Sequence, residues 1–141
     1  MSNIHFEIVT PERVVLKEEI RQVLVPTVEG DITILPKHMP LISILKPGVL
    51  EIKNQSGEIE TMAVSGGFVE VLPTKVIILA DTAERAQEID ETRAEEAHKR
   101  AEEAMKEKGE HVDFAGFQAQ IAKEMARIKA VHRHRHLQGR R

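Results

Sequence analysis

The strongest constraint on this 141-residue chain is a change of texture at about residues 81–88. Before it, Val and Ile recur in short runs divided by Pro, Gly, Asn and Asp. After it, the chain turns to Ala, Glu, Lys and Arg and contains no proline. A strand sends successive side chains to opposite faces, whereas a helix returns to one face every three or four residues. A chain that switches between these periods holds two kinds of packing unit. The expected architecture is a β-sandwich N-terminal domain over 1–82, a linker over 83–88 and a two-helix hairpin over 89–141, all-β followed by all-α.

Within the first part, strands are expected over 4–8, 14–16, 20–28, 32–35, 41–45, 49–54, 59–64, 68–72 and 76–80. Such a set of about eight to ten short strands buries alternate side chains between two sheets. Turns fall at Pro11-Glu12, Glu29-Gly30-Asp31, Pro47-Gly48, Gln55-Ser56-Gly57 and Pro73-Thr74-Lys75, with a stiff loop between Pro36 and Pro40. Ser65-Gly66-Gly67 reads as a connection between two strands, and it lacks the GxxxxGK[ST] pattern of a phosphate-cradling loop. Aromatic residues make up only 3% of the chain, all of them Phe, so the core must come from Val, Ile and Leu.

In the second part, Ala94, Ala97, Ala101 and Ala104 line one helix face. Glu95 with Lys99, Glu96 with Arg100 and Glu102 with Lys106 place acid four residues before base on an exposed face. Asp90 is the expected N-cap and Gly109 the expected stop. A second helix, capped by Asp113, carries Phe114, Phe117, Ile121, Met125, Ile128 and Val131 beside a row of Ala119, Ala122, Ala126 and Ala130. Alanine faces approach closely but bury little apolar area, so the hairpin is expected to be weakly held and able to let go.

Several functions are disfavoured at this level. The net charge of −3, with no basic and aromatic interleaving, gives no general pull toward nucleic acid. Absence of cysteine excludes disulfides, thiolate metal sites and cysteine nucleophiles. No apolar run approaches the roughly 20 residues of a membrane helix, and the start lacks a signal-peptide layout; direct membrane insertion is not expected, and the chain reads as cytosolic or peripheral. No local nucleophile, base and orienting acid occur together, so no catalytic residue is assigned. His132 and His136 have metal-ligand spacing, but their Arg neighbours repel a cation and no carboxylate supports the pair, so a frayed basic tail is expected there and no metal site is assigned; a pH-sensitive electrostatic contact is a further option for this tail.

The segments GDITILPKHMPLI at 30–42, KPGVLEI at 46–52, AVSGGFVEV at 63–71 and VIILADTAERAQEIDETRA at 76–94, together with the hairpin, resemble the epsilon subunit of the bacterial F-type ATP synthase in order and spacing. The resemblance implies a non-catalytic central-stalk subunit whose sandwich binds the gamma subunit and the membrane rotor ring, at the cytoplasmic face of the bacterial cell membrane. It implies that the loop over 29–39, with Asp31 and His38, faces ring and stalk. It also implies that the hairpin inhibits hydrolysis by the alpha/beta catalytic head when extended, with Lys123, Arg127, Lys129, Arg133 and Arg135 meeting an acidic stretch of the beta subunits.

Some members of that family bind ATP on the folded hairpin through an I/L-D-x-x-R-A motif. Here Ile89, Asp90, Arg93 and Ala94 match it, and Glu84, Arg100, Lys123 and Arg127 correspond to further contacts. No cofactor is implied as required; ATP is the implied regulatory ligand. Folding would gather Arg93, Arg100, Lys123 and Arg127, an arrangement relieved by a triphosphate. Lysine at 123 removes the bidentate geometry of an arginine. Two other readings fit the residues: a free-standing nucleotide-sensing β-sandwich with a helical lid, and an adaptor with no ligand.

Overall fold

A computed structural model describes residues 3–108 and 114–139. Its N-terminal part contains β1 (Ile4–Val9), β2 (Val14–Thr27), β3 (Gly30–Ile34), β4 (Leu41–Ile44), β5 (Gly48–Asn54), β6 (Ile59–Val71) and β7 (Lys75–Arg85). The strand order is β1-β7-β6-β5-β2-β3, β4 adds to β6, and a further β1–β2 pairing closes the sheet on itself. Only β1 and β7 run parallel; the other pairings are antiparallel. The result is a β-sandwich flattened around one interior of Phe6, Ile8, Ile20, Val23, Leu50, Ile52, Met62, Val69 and Ile78, all at most 1% exposed.

Among the described residues seven strands, two of them 14 and 13 residues long, stand where about eight to ten short ones were expected. β2 unites the segments 14–16 and 20–28: Lys17, Glu18 and Glu19 pair with Glu7, Phe6 and His5 of β1, so the polar interruption lies within a ladder. β6 unites 59–64 and 68–72, and Ser65-Gly66-Gly67 is strand where a connection was expected. Ser65 still pairs with Thr82 and Gly67 with Ala80, while Gly66 and Gly67 adopt φ of 66° and 100°. A Cβ at Gly66 would collide with the Asp81 carboxylate, and one at Gly67 with the Leu79 carbonyl, so the tight approach of β7 requires glycine at both. β7 in turn continues through Arg85 into the segment 83–88, and a single 3-10 turn, Ala86–Glu88, completes the passage to the helices.

The long strands change partners along their length. β2 pairs with β1 over Val14 to Ile20, then with β5 and β3. β6 pairs with β5 over Ile59 to Val64 and with β4 over Phe68 to Val71, keeping β7 on its other edge.

Helix α1 spans Glu91–Lys108 and α2 spans Phe114–Gln138. Asp90 Oδ1 accepts the Arg93 backbone N–H at 3.1 Å, as expected for an N-cap; Gly109 and Asp113 lie outside the described residues. α2 packs on β5, β6 and the 3-10 turn, and α1 packs chiefly on α2. Alanines make most of these contacts. Ala94, Ala101, Ala126 and Ala130 are buried; of the larger apolar row Val131 is buried too, whereas Met125 is 38% exposed. The seam between α2 and the sandwich is a separate small cluster of Ala63, Ala86 and Ala130, flanked by Val49 and Ile89.

Candidate functional site

The seam sets a row of cations on α2 against carboxylates from three other elements. Arg127 Nε donates to Glu84 Oε2 of β7 at 2.8 Å, and its Nη1 donates to Glu124 Oε2, one turn back on α2, at 2.8 Å. Glu124 is only 3% exposed, and Gln120 Nε2 donates to its other oxygen at 2.9 Å. Burial works against the Arg127 charge, but the hydrogen bonds to Glu124 and Glu84 outweigh it and raise the guanidinium pKa above its ordinary value. Two turns on, Arg133 Nε donates to Glu51 of β5. Glu91, in the first turn of α1, receives His132 Nε2 at 2.7 Å on one oxygen and Arg135 on the other. The hydrogen bond from His132 is the main reason its carboxyl is held below the usual range.

The expected ligand residues sort into three groups. Ile89, Asp90 and Ala94 have structural places here: Ile89 flanks the alanine seam, Asp90 caps α1 and Ala94 is fully buried. Glu84 and Arg127 meet directly, so Arg127 is not one of four uncompensated cations; its charge is already balanced by Glu84 and Glu124. Arg93 and Arg100 are exposed and Lys123 is half-buried. Among the described residues, none of these three has an ion-pair partner. Arg100 borders a groove of about 410 Å³ between the helices, lined by Ala97, Ala101, Ala104, Phe117 and Gln120. The small alanines leave this space open beneath a free cation.

Asp31 and His38 occupy different surroundings. Asp31, opposite Pro26 at the start of β3, borders a groove with Lys46, Lys129 and Arg133. His38 lies beyond the other end of β3, in a loop where Lys37, at φ 68°, donates its N–H to the Pro73 carbonyl at 2.8 Å. β3 therefore separates the two. His132 also differs from expectation, because the fold brings Glu91 and Glu95 to it, one potential ligand atom from each of the three lying within 4.8 Å of the others. Arg135 already holds Glu91 there. Lys129 is exposed and has no ion-pair partner among the described residues.

One surface was not assigned from sequence. Ile44 pairs with Phe68, Phe68 with Leu79, and Leu79 with Val9, whose other partner is Val14. Ile44, Phe68, Leu79 and Val14 are each 52–54% exposed, and Ile42 beside them is 71% exposed. This is an outward apolar band across five strands, with half-buried Val9 as the link through β1, and it is larger in extent than scattered exposed side chains. Its signal was present in the run VIILA at 76–80, which is apolar in both phases of the strand alternation and so has two apolar faces. Beyond its end, Leu35, Met39 and Leu72 expose further apolar surface.

Residues 3–86 match the β-sandwich domain of the ATP synthase delta/epsilon chain, and residues 87–132 match its long α-helix domain. A protein of Herpetosiphon aurantiacus called ATP synthase epsilon chain is 54% identical over 127 residues, covering 89% of this chain and 90% of that one. A chain of the same name from Chloroflexus aggregans is 50% identical and covers 94% of each. In three dimensions the chain resembles one in the Euglena gracilis mitochondrial ATP synthase, an assembly of OSCP, F1 and c-ring. The TM-score there is 0.77 and the identity 25%, with 92% of this chain and 80% of that one covered. A chain in the central stalk and c-ring of the Tetrahymena thermophila enzyme shares the fold, with TM-score 0.55 at 20% identity over 92% and 94% of the two chains.

Proposed function

The chain belongs to the ATP synthase delta/epsilon chain family as an epsilon chain, and on that premise we propose that it is a non-catalytic part of the rotor whose hairpin restrains ATP hydrolysis. The sandwich carries the structural half of this role. Its apolar band through Ile44, Phe68 and Leu79 suits a permanent partner, read here as the gamma subunit of the central stalk. The loop end, with Leu35, Met39 and His38, is assigned to the membrane ring. The working position is peripheral, at the cytoplasmic face of the bacterial cell membrane; among the described residues no helix is long and apolar enough to cross a membrane.

The observation that carries the regulatory half is the alanine seam. α2 rests on the sandwich through a cluster distinct from the main interior, so it can lift without opening the strands. An extended α2 would present Lys123, Arg127, Lys129, Arg133 and Arg135 to the beta subunits and obstruct rotation in the hydrolytic direction. ATP would favour the folded form only by binding it more tightly than the extended one. The open groove beside Arg100 between the helices supports that reading.

Removing all residues after Glu88 from the assembled enzyme tests it. Assembly is expected to survive and hydrolysis to rise severalfold; unchanged hydrolysis would remove the inhibitory role. ATP titration of the whole chain beside the double variant Asp90→Ala, Arg93→Ala tests the ligand, and equal affinity would displace the site.

A further inference from the structure

We propose that Glu51, Glu84 and Glu91 act as an internal substitute for an acidic partner of α2, so that the folded hairpin withholds its basic residues from that partner until it lifts. The inference rests on the switch reading above and adds what sets its balance.

Arg127, Arg133 and Arg135 lie on one helix, yet their carboxylates come from three other elements: Glu84 from β7, Glu51 from β5 and Glu91 from α1. The fourth carboxylate, Glu124, rides on α2 itself and keeps Arg127 company in either state. When α2 leaves, Glu51 and Glu84 stay with the sandwich and Glu91 stays with α1. In two of the three pairs the carboxylate is the more buried member: the Glu51 and Glu91 side chains are 18% and 19% exposed, against 41% and 64% for Arg133 and Arg135, while Glu84 is 35% exposed against 21% for Arg127. Both oxygens of Glu91 are engaged, by His132 and Arg135, so an acidic group approaching Arg135 from outside meets a guanidinium whose charge is already partly balanced. The same holds at Arg133 and Arg127.

The apolar hold on the helix is modest. The seam is three alanines flanked by Val49 and Ile89, with Val131 also buried on α2, and an alanine methyl contributes about as much as one methylene, roughly 0.8 kcal/mol. Thr61, opposite Glu51 in the β5–β6 ladder and so on the face that α2 covers, is 1% exposed with a hydroxyl that has no partner among the described residues. Its burial opposes docking. With apolar gain small, charge pairing decides the position of α2, and an acidic partner exchanges like for like. Lys123 and Lys129 have no ion pair among the described residues and remain available in the folded state as first points of attraction.

The test uses the full chain, which has no native cysteine. Spin labels at Ser56→Cys and Gln138→Cys, which line one groove in the folded form, report α2 position, and a polyglutamate peptide serves as the acidic probe. Combining Glu51→Gln, Glu84→Gln and Glu91→Gln is expected to lengthen the label distance and tighten peptide binding about tenfold, since exposed pairs each contribute less than a factor of about five. Exchanging the charges at one pair, Glu51→Arg with Arg133→Glu, is expected to restore the short distance relative to Glu51→Arg alone while weakening the peptide further. Equal peptide affinity of wild type and triple variant, or an unmoved label distance, would overturn the proposal. Neither readout involves the assembled enzyme, so it can fail while the truncation result stands, and the reverse.

Discussion

The interior of the sandwich and the seam beneath α2 are built from opposite materials. The interior uses Ile, Val, Leu, Phe and Met, each fully buried side chain contributing about 1.5–3 kcal/mol, and its ladder closes around them. The seam uses alanine, an unpartnered threonine hydroxyl and long-range ion pairs. One is held by area and cannot be loosened locally; the other is held by charge and can. A chain that must keep one part rigid while releasing another divides its composition accordingly, and the break in texture near residues 81–88 is that division written in sequence.

The comparison can be attacked from its strong side first. Ile52→Ala, in the closed interior, is expected to cost about 2–5 kcal/mol and to lower the melting temperature of the whole sandwich, measured by circular dichroism. Ala130→Leu overfills the seam at a cost of about 1–3 kcal/mol, but the loss should be confined to the hairpin. Hydrogen exchange should show α2 amides losing protection while those of β6 and β7 keep theirs, and uniform loss would erase the distinction between the two regions. Asp90→Ala removes the cap on α1 and should cost about 1 kcal/mol, read as faster exchange in its first turn.

A smaller effect comes with pH. Because the Glu91 carboxyl is held below its ordinary value of 4.5 in the folded hairpin, its contribution is complete above that value and is lost as pH falls through the lowered one. Closure measured by the spin labels should therefore weaken on acidification below about 4.5, and less so in Glu91→Gln. The smallest change concerns the sandwich end. Glu18 faces inward beside Glu60 and Arg85, one of its oxygens is buried without a partner, and burial raises its pKa, so the folded state disfavours its charge. Glu18→Gln should raise the melting temperature slightly at pH 7, where a fall would indicate a pairing role instead.

The two regions were also unequally legible. Alternation of Ile4, Phe6 and Ile8 and the apolar rows of later strands gave the sandwich directly, because burial imposes a period of two. Strand lengths were not legible at Lys17-Glu18-Glu19 or Ser65-Gly66-Gly67, since a ladder tolerates outward polar residues such as Lys17 and Glu19, an inward Glu18 near its end, and glycines where a neighbour crowds in. The helices were read from alanine spacing; Ala126 and Ala130 are buried, but so is Val131 of the larger apolar row, while Ala119 is exposed. The charge pattern at the seam was hidden for a different reason. Glu84 and Arg127 stand 43 residues apart and Glu51 and Arg133 stand 82 apart. Only the docking register of α2 brings them together, and no local period encodes that register.

The partner changes of β2 and β6 bear on mechanics. A stack of two independent sheets can shear, one plate gliding over the other under a sideways load. Here the same continuous strands are stitched first into one plate and then into the next, so gliding would have to tear hydrogen bonds along a covalent chain. A body made this way twists as a single piece, with no backlash between the surface that is driven and the surface that drives.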